Sequence, residues 1–191
     1  MKKAILAALL SAVSALAAIA PEASADSPWT RVTDPLGSGT PNGPLVDPAG
    51  SFCSFDLVIS VVGNNELQRQ FPAAPPAPAN AIETDVEGEL VLNFANTDAN
   101  VSVTRNVSGW FHSVAYVDSA GNLQTVQTGS GNNWWTFGPH GRRNTGLPGA
   151  FISSGPFVLH GTGNVVNSFQ AHHITDLCRL LGGTSAPPAP A

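Results

Sequence analysis

The sequence predicts an all-β fold: an antiparallel meander forming a roughly eight-stranded barrel or curved sandwich, with one short C-terminal helix. Three observations predict it. Apolar and polar residues alternate with period two in one segment after another. Turns rich in Gly and Asn separate those segments, and few connections are long enough for crossover helices. Only "ITDLCRLLGG", residues 174–183, has helical spacing and helical punctuation.

The N-terminus reads as a secretory signal peptide over residues 1–25. Lys2 and Lys3 precede the apolar run 4–20, and Ala23-Ser24-Ala25 is a small-residue cleavage pattern. An uncleaved membrane anchor is the weaker reading, because the run is short for a bilayer span and contains Ser11 and Ser14. The expected location is therefore secreted, either extracellular or cell-wall associated. Beyond residue 25 there is no lysine. Six arginines face twelve acids, a net charge of −6. Such a chain has no electrostatic footprint for nucleic acid and no basic stretch for stable membrane insertion after cleavage.

The remainder is one domain's worth of chain. Residues 26–50 are rich in Pro, Gly and Ser and read as a flexible N-terminal segment. Residues 51–183 form the β-domain, and 184–191, "TSAPPAPA", read as a disordered Pro/Ala tail. Two cysteines, Cys53 and Cys178, bracket the β-domain. In an exported protein such a pair reads as one disulfide; two free buried thiols are the alternative.

The first strand is "CSFDLVISV". Cys53, Phe55, Leu57, Ile59 and Val61 share the buried face. Residues 64–81 contain clustered prolines and read as a long surface loop with polyproline character. "IETDVEGELVLNFAN" reads as one strand, with Val86, Leu90, Leu92 and Phe94 inward and Asp85, Glu87 and Glu89 on a solvated face. It forms a hairpin with "NVSVTRNVSGW", where Arg105 has buried-face parity. "WFHSVAYV" and "NLQTVQT" pair through "DSAGN" and are apolar on both faces, so both faces need a cover. Residues 129–151 read as loop with a short strand at 134–137. "FVLHG" and "NVVNSFQAHH" then pair through "GTGN". The final helix is capped by Thr175 or Asp176, has an apolar stripe of Leu177, Leu180 and Leu181, and stops at Gly182.

Adjacent His172 and His173 point to opposite faces of a strand, and His160, expected beside Asn164, lies far from both. No His-x-His, HExxH, CxxC or GxSxG occurs, so no metal, cofactor or catalytic residue is expected. The candidate binding segment is "NNWWTFGPHGRR". Trp134, Trp135, His140, Arg142 and Arg143 are interface-type residues in a Gly-rich loop, with Arg105 a further candidate. Their rings suit a small apolar or saccharide ligand. The plainer reading places Trp134 and Trp135 on a short strand, one in the core and one over a barrel mouth.

"FCSFDLVI", "VLNFANTDANVSVTRNVSG", "DSAGN", "FISSGPFVLHGTGNVV" and "ITDLCRLL" resemble a group of small secreted proteins of actinobacteria with no established activity. The resemblance implies export, one disulfide and an all-β domain. Two functional expectations stand together. One is a non-enzymatic module that binds a ligand or the cell envelope. The other is a small barrel enzyme with acid–base residues in an open lumen. Polar residues converging inside would favour a ligand carrier or an enzyme; a packed apolar interior would leave only the surface.

Overall fold

A computed structural model describes residues 27–142 and 145–188. The expected signal peptide, Arg143 and the end of the tail lie outside the described residues. Among the described residues eleven strands and one helix follow one another. The strands are β1 (Thr30–Arg31), β2 (Leu45–Asp47), β3 (Leu57–Asn64), β4 (Leu67–Pro72), β5 (Ile82–Gly88), β6 (Leu90–Asn96), β7 (Val101–Asn106), β8 (Gly109–Val117), β9 (Leu123–Thr136), β10 (Ala150–Thr162) and β11 (Val165–Asp176). The helix, α1, is Leu177–Leu180. The all-β class and the C-terminal helix are as expected, with more strands than the sequence suggested.

The strands form two antiparallel sheets. The seven-stranded sheet has the order β1-β4-β5-β8-β9-β10-β11 and the four-stranded sheet β2-β3-β6-β7. Among the described residues no pairing closes either sheet on itself. The segment read as one strand over 82–96 is two strands, one in each sheet. The switch falls at Gly88, whose φ is +129°. A Cβ there would stand 2.6 Å from the Asn65 carbonyl oxygen and 2.8 Å from Glu66 Cα, so no other residue fits. The alternation survives the switch: Val86, Leu90, Leu92 and Phe94 are all buried.

Three other expectations give way. Residues 26–50 are not simply flexible: β1 and β2 pair with β4 and β3, and Leu36 is completely buried. One apolar residue in a polar turn anchors that segment, and the Asp34 carboxylate shapes it by accepting from the backbone of Ser38 and Gly39. Residues 67–72, inside the expected Pro-rich loop, form β4, because the prolines begin only at its last residue. The tail is ordered at its start. Ser185 bridges Cys53, and the Ala186 N–H donates to the Phe52 carbonyl at 2.7 Å.

The main core takes residues from both sheets. Leu57, Ile59, Leu90, Leu92 and Phe94 come from the small sheet, Ala150 and Ile152 from β10, and Leu177 and Leu181 from the C-terminal turn. A side chain such as Phe94, fully out of water, contributes on the order of 2–3 kcal/mol. Four residues of helix cannot hold themselves. α1 is held by those buried leucines, by Asp176, whose carboxylate accepts from Arg179 N at 3.1 Å, and by the expected disulfide. Cys53 and Cys178 are joined, with Cα atoms 5.3 Å apart. The bond is compatible with an oxidising, extracellular setting. Among the described residues no helix is long and apolar enough to cross a membrane.

Candidate functional site

The expected Gly-rich binding loop does not assemble. β9 runs unbroken to Thr136, so Trp134 and Trp135 are strand residues. Trp134 packs against the main core. Trp135 sits among Phe157, Phe169 and Phe137, with ring centroids 5.0, 5.2 and 6.0 Å away, and its Nε1 donates to Ser153 Oγ at 2.8 Å. The strand was hidden by Gly129 and Gly131, which read as loop. A Cβ at Gly129 would meet the Phe157 ring at 2.5 Å, so that glycine serves packing.

The arginines have other work. Arg142 is 4% exposed. Its guanidinium donates to the carbonyls of Phe137 at 3.1 Å, Leu147 at 3.0 Å and Ala186. Burial lowers its pKa, and the charge of Asp176 opposes that shift. It fastens the 137–147 turn to the C-terminal segment. Arg105 has the expected buried-face parity, opposite Leu92, but β7 is an edge strand and the side chain is exposed, donating to the Thr104 carbonyl. His140 is exposed on the turn beyond Phe137. His172 and His173 are exposed on β11, and the two-residue turn 163–164 sets His160 opposite Ser168 rather than beside Asn164. Among the described residues no group of His, Cys, Asp or Glu is arranged to hold a metal ion.

What the structure does assemble is a partly open pocket of about 160 Å³ on one face of the large sheet. Register builds it. Gln68, Val86 and Phe111 stand in one row, Thr84, Ser113 and Gln127 in the next, and Ala115 and Thr125 in a third. Residues 32–35 and Glu66 cover it, and Trp134, Trp135 and Phe137 complete the wall. This covers the Phe111 face of the 110–126 hairpin; on the opposite face Trp110 is 50% exposed, so the expected second cover is not seen there among the described residues.

The hydrogen bonding of this wall is incomplete. Among the described residues the side chains of Gln68, Thr84, Ser113, Thr125 and Gln127 make no hydrogen bond, although each of the three hydroxyl-bearing residues is more than nine-tenths buried. A buried hydroxyl without a partner costs about 1–3 kcal/mol. These oxygens retain some contact with the pocket's interior, since the one fully enclosed orphan among the described side chains is Asp47 Oδ2, elsewhere. Among the described residues no Lys, Arg or His lines the pocket. Burial pushes the Glu66 carboxyl up to about 7.

Asp85 departs from the expected solvated row. It accepts from Arg69 Nε at 2.8 Å and Nη2 at 2.7 Å, and pairs with His112 Nδ1 at 2.7 Å. His112 Nε2 lies 3.8 Å from Glu83, and the Arg69 guanidinium stacks 4.7 Å from the Trp29 ring. Burial would raise the Asp85 pKa, but the hydrogen bonds from His112 and Arg69 and the Arg69 charge outweigh it and hold the carboxyl low. The cluster ties β4, β5 and β8 together through the Asp85 carboxylate. Glu87 and Glu89 are exposed, as expected. The sequence signal for the pocket was faint: small hydroxyl residues at inward positions of strands far apart in the chain. No protein-family model matches this chain, and neither a curated protein nor a solved structure does.

Proposed function

We propose that this chain is a secreted, non-enzymatic β-domain, its two sheets curved into a sandwich, that holds one small ligand in the pocket of its larger sheet. The observation that carries the reading is the set of five polar side chains that converge on the pocket without hydrogen-bond partners among the described residues. A ligand's polar atoms would complete their hydrogen bonds. The volume, about 160 Å³, suits one small molecule: an engineered cavity of about 150 Å³ accepts benzene. Export, the cell-envelope setting and kinship with small actinobacterial secreted proteins belong to the same reading, supported by the disulfide and the N-terminal pattern.

The enzyme reading draws on one feature, a Glu66 carboxyl titrating near neutrality as a general acid or base would. It has no second group to work with, because the Asp34 carboxylate already accepts from Ser38 N, Ser38 Oγ and Gly39 N. Binding is therefore the better-supported function. Native mass spectrometry of protein recovered from culture medium tests it. The unaltered chain should carry a small bound mass that denaturation releases. Ser113→Phe, which fills the pocket, should fold and carry none. A ligand retained by Ser113→Phe would refute the placement.

A further inference from the structure

Resting on that pocket reading, we infer that the ligand is a small organic cation of the alkylammonium type, held between the Glu66 carboxylate and the aromatic wall of the pocket.

The lining chemistry is one-sided. Among the described residues it contains two acids, Asp34 and Glu66, and no base. The Asp34 oxygens are occupied by the turn they organise. Among the described residues the Glu66 carboxyl has no hydrogen-bond or ion-pair partner, although its backbone N–H donates to Asn64 Oδ1 at 2.9 Å and fixes the chain there. The charged groups on the surrounding elements do not supply a partner. Arg31 of β1 is spent on the Asn64 carbonyl and on Asn65 Oδ1. Asp34 on the covering segment, Glu87 at the end of β5 and Glu89 at the sheet switch are acids, and β8 and β9 present only neutral residues to the pocket. An anionic ligand would meet carboxylates and nothing to neutralise it. A neutral one would leave the Glu66 carboxyl without an ionic partner. A cation supplies what the site lacks.

The rest of the wall agrees. Phe111, Trp134 and Trp135 are all lining residues, the two tryptophans from opposite faces of β9, and an aromatic ring in the wall attracts a cation through its quadrupole most strongly where water is excluded. Thr84, Ser113 and Thr125, each more than nine-tenths buried and unpartnered, can accept from ammonium N–H groups or from a hydroxyl on the ligand. The net charge of −6 beyond the signal segment draws cations toward the whole molecule. A tetramethylammonium-sized group fits about 160 Å³ with room for a short substituent.

Calorimetric titration with tetramethylammonium, neopentyl alcohol and pivalate separates the outcomes. The three share a branched shape and differ in charge. Tetramethylammonium should bind at pH 8, and its affinity should fall by at least about tenfold at pH 5.5 as Glu66 takes up its proton. Glu66→Gln should weaken binding at pH 8 by about tenfold and flatten that dependence. If Glu66→Gln does not fold, the pH dependence in the unaltered chain decides alone. Neopentyl alcohol binding as tightly as tetramethylammonium overturns the cation while leaving the pocket reading in place. Pivalate binding in preference to both overturns the charge argument. No binding by any of the three overturns the cation proposal, and a pocket that also carries no native ligand removes the underlying reading.

Discussion

Asp47→Asn should make the protein more stable at neutral pH and not in acid. Asp47 lies on β2 opposite Leu57, is 6% exposed, and its Oδ2 is buried with no hydrogen-bond partner. Burial raises its pKa from 3.8 to about 6. The folded state therefore holds a proton that the unfolded state releases near pH 4. Its contribution to stability is fully present below pH 3.8 and is lost as pH rises through about 6. A shift of that size corresponds to about 3 kcal/mol. The asparagine amide would itself lack a partner at Oδ2's place, which costs about 1 kcal/mol. The net gain expected at pH 7.5 is thus about 1–2 kcal/mol, with no gain or a small loss at pH 3.5. Urea unfolding with the disulfide intact measures both. Glu66 adds a slope of the same sign up to about pH 7, but it is common to both chains and cancels in the difference. An Asp47→Asn chain equally or less stable at both pH values would refute the claim that this carboxyl is desolvated without compensation.

Other substitutions probe the staples of the fold. Replacing Cys53 and Cys178 together by serine opens a 125-residue span; the chain-entropy relation puts the loss at roughly 5 kcal/mol, measurable as a lower urea midpoint. Arg142→Met leaves the carbonyls of Phe137, Leu147 and Ala186 without their donor, and should cost about 2–4 kcal/mol and open the segment after Gly183 to limited proteolysis. Gly88→Ala places a methyl 2.6 Å from the Asn65 carbonyl oxygen and 2.8 Å from Glu66 Cα. It should destabilise by about 1–3 kcal/mol and weaken ligand binding, because the backbone that presents Glu66 must move.

The parts of this molecule that could be read in the sequence are those whose signal is local. "CSFDLVISV" alternates, and its odd residues are buried from Cys53 through Ile59. "ITDLCRLLGG" carries its own cap and stop, and both are used. Gly129 and Gly131 misled for a physical reason. A glycine that makes room for Phe157 looks in sequence like a glycine that makes a turn. Leu36 misled in the opposite way: a single leucine among Pro, Gly and Ser is too weak a pattern to announce a buried anchor. Arg142 was singled out as a ligand-binding candidate, but residue type alone does not separate a ligand-facing guanidinium from one that closes on three backbone carbonyls. The pocket was out of reach, since Gln68, Thr84, Ser113 and Gln127 become neighbours only through the pairing of four strands.

The two sheets treat their buried faces differently, and that difference joins the fold to the proposed function. On the small sheet Leu57, Ile59, Leu90, Leu92 and Phe94 are each no more than 2% exposed, and its buried polar residues, Asp47 and Asn96, stand at its end beside Leu57. That face, with the disulfide and the leucines of the C-terminal turn, supplies a core. On the large sheet the equivalent inward rows are interrupted by Thr84, Ser113, Thr125 and Gln127, where apolar side chains of similar size would pack without polar cost. Stability alone does not select unpartnered hydroxyls more than nine-tenths buried, nor an acid covering them that no base pairs with among the described residues. Proteins depart from well-packed, fully bonded interiors where a site requires it, and the loss is made up elsewhere. Here the small sheet and the Cys53–Cys178 tie provide that surplus, and the large sheet uses it to keep a polar space open.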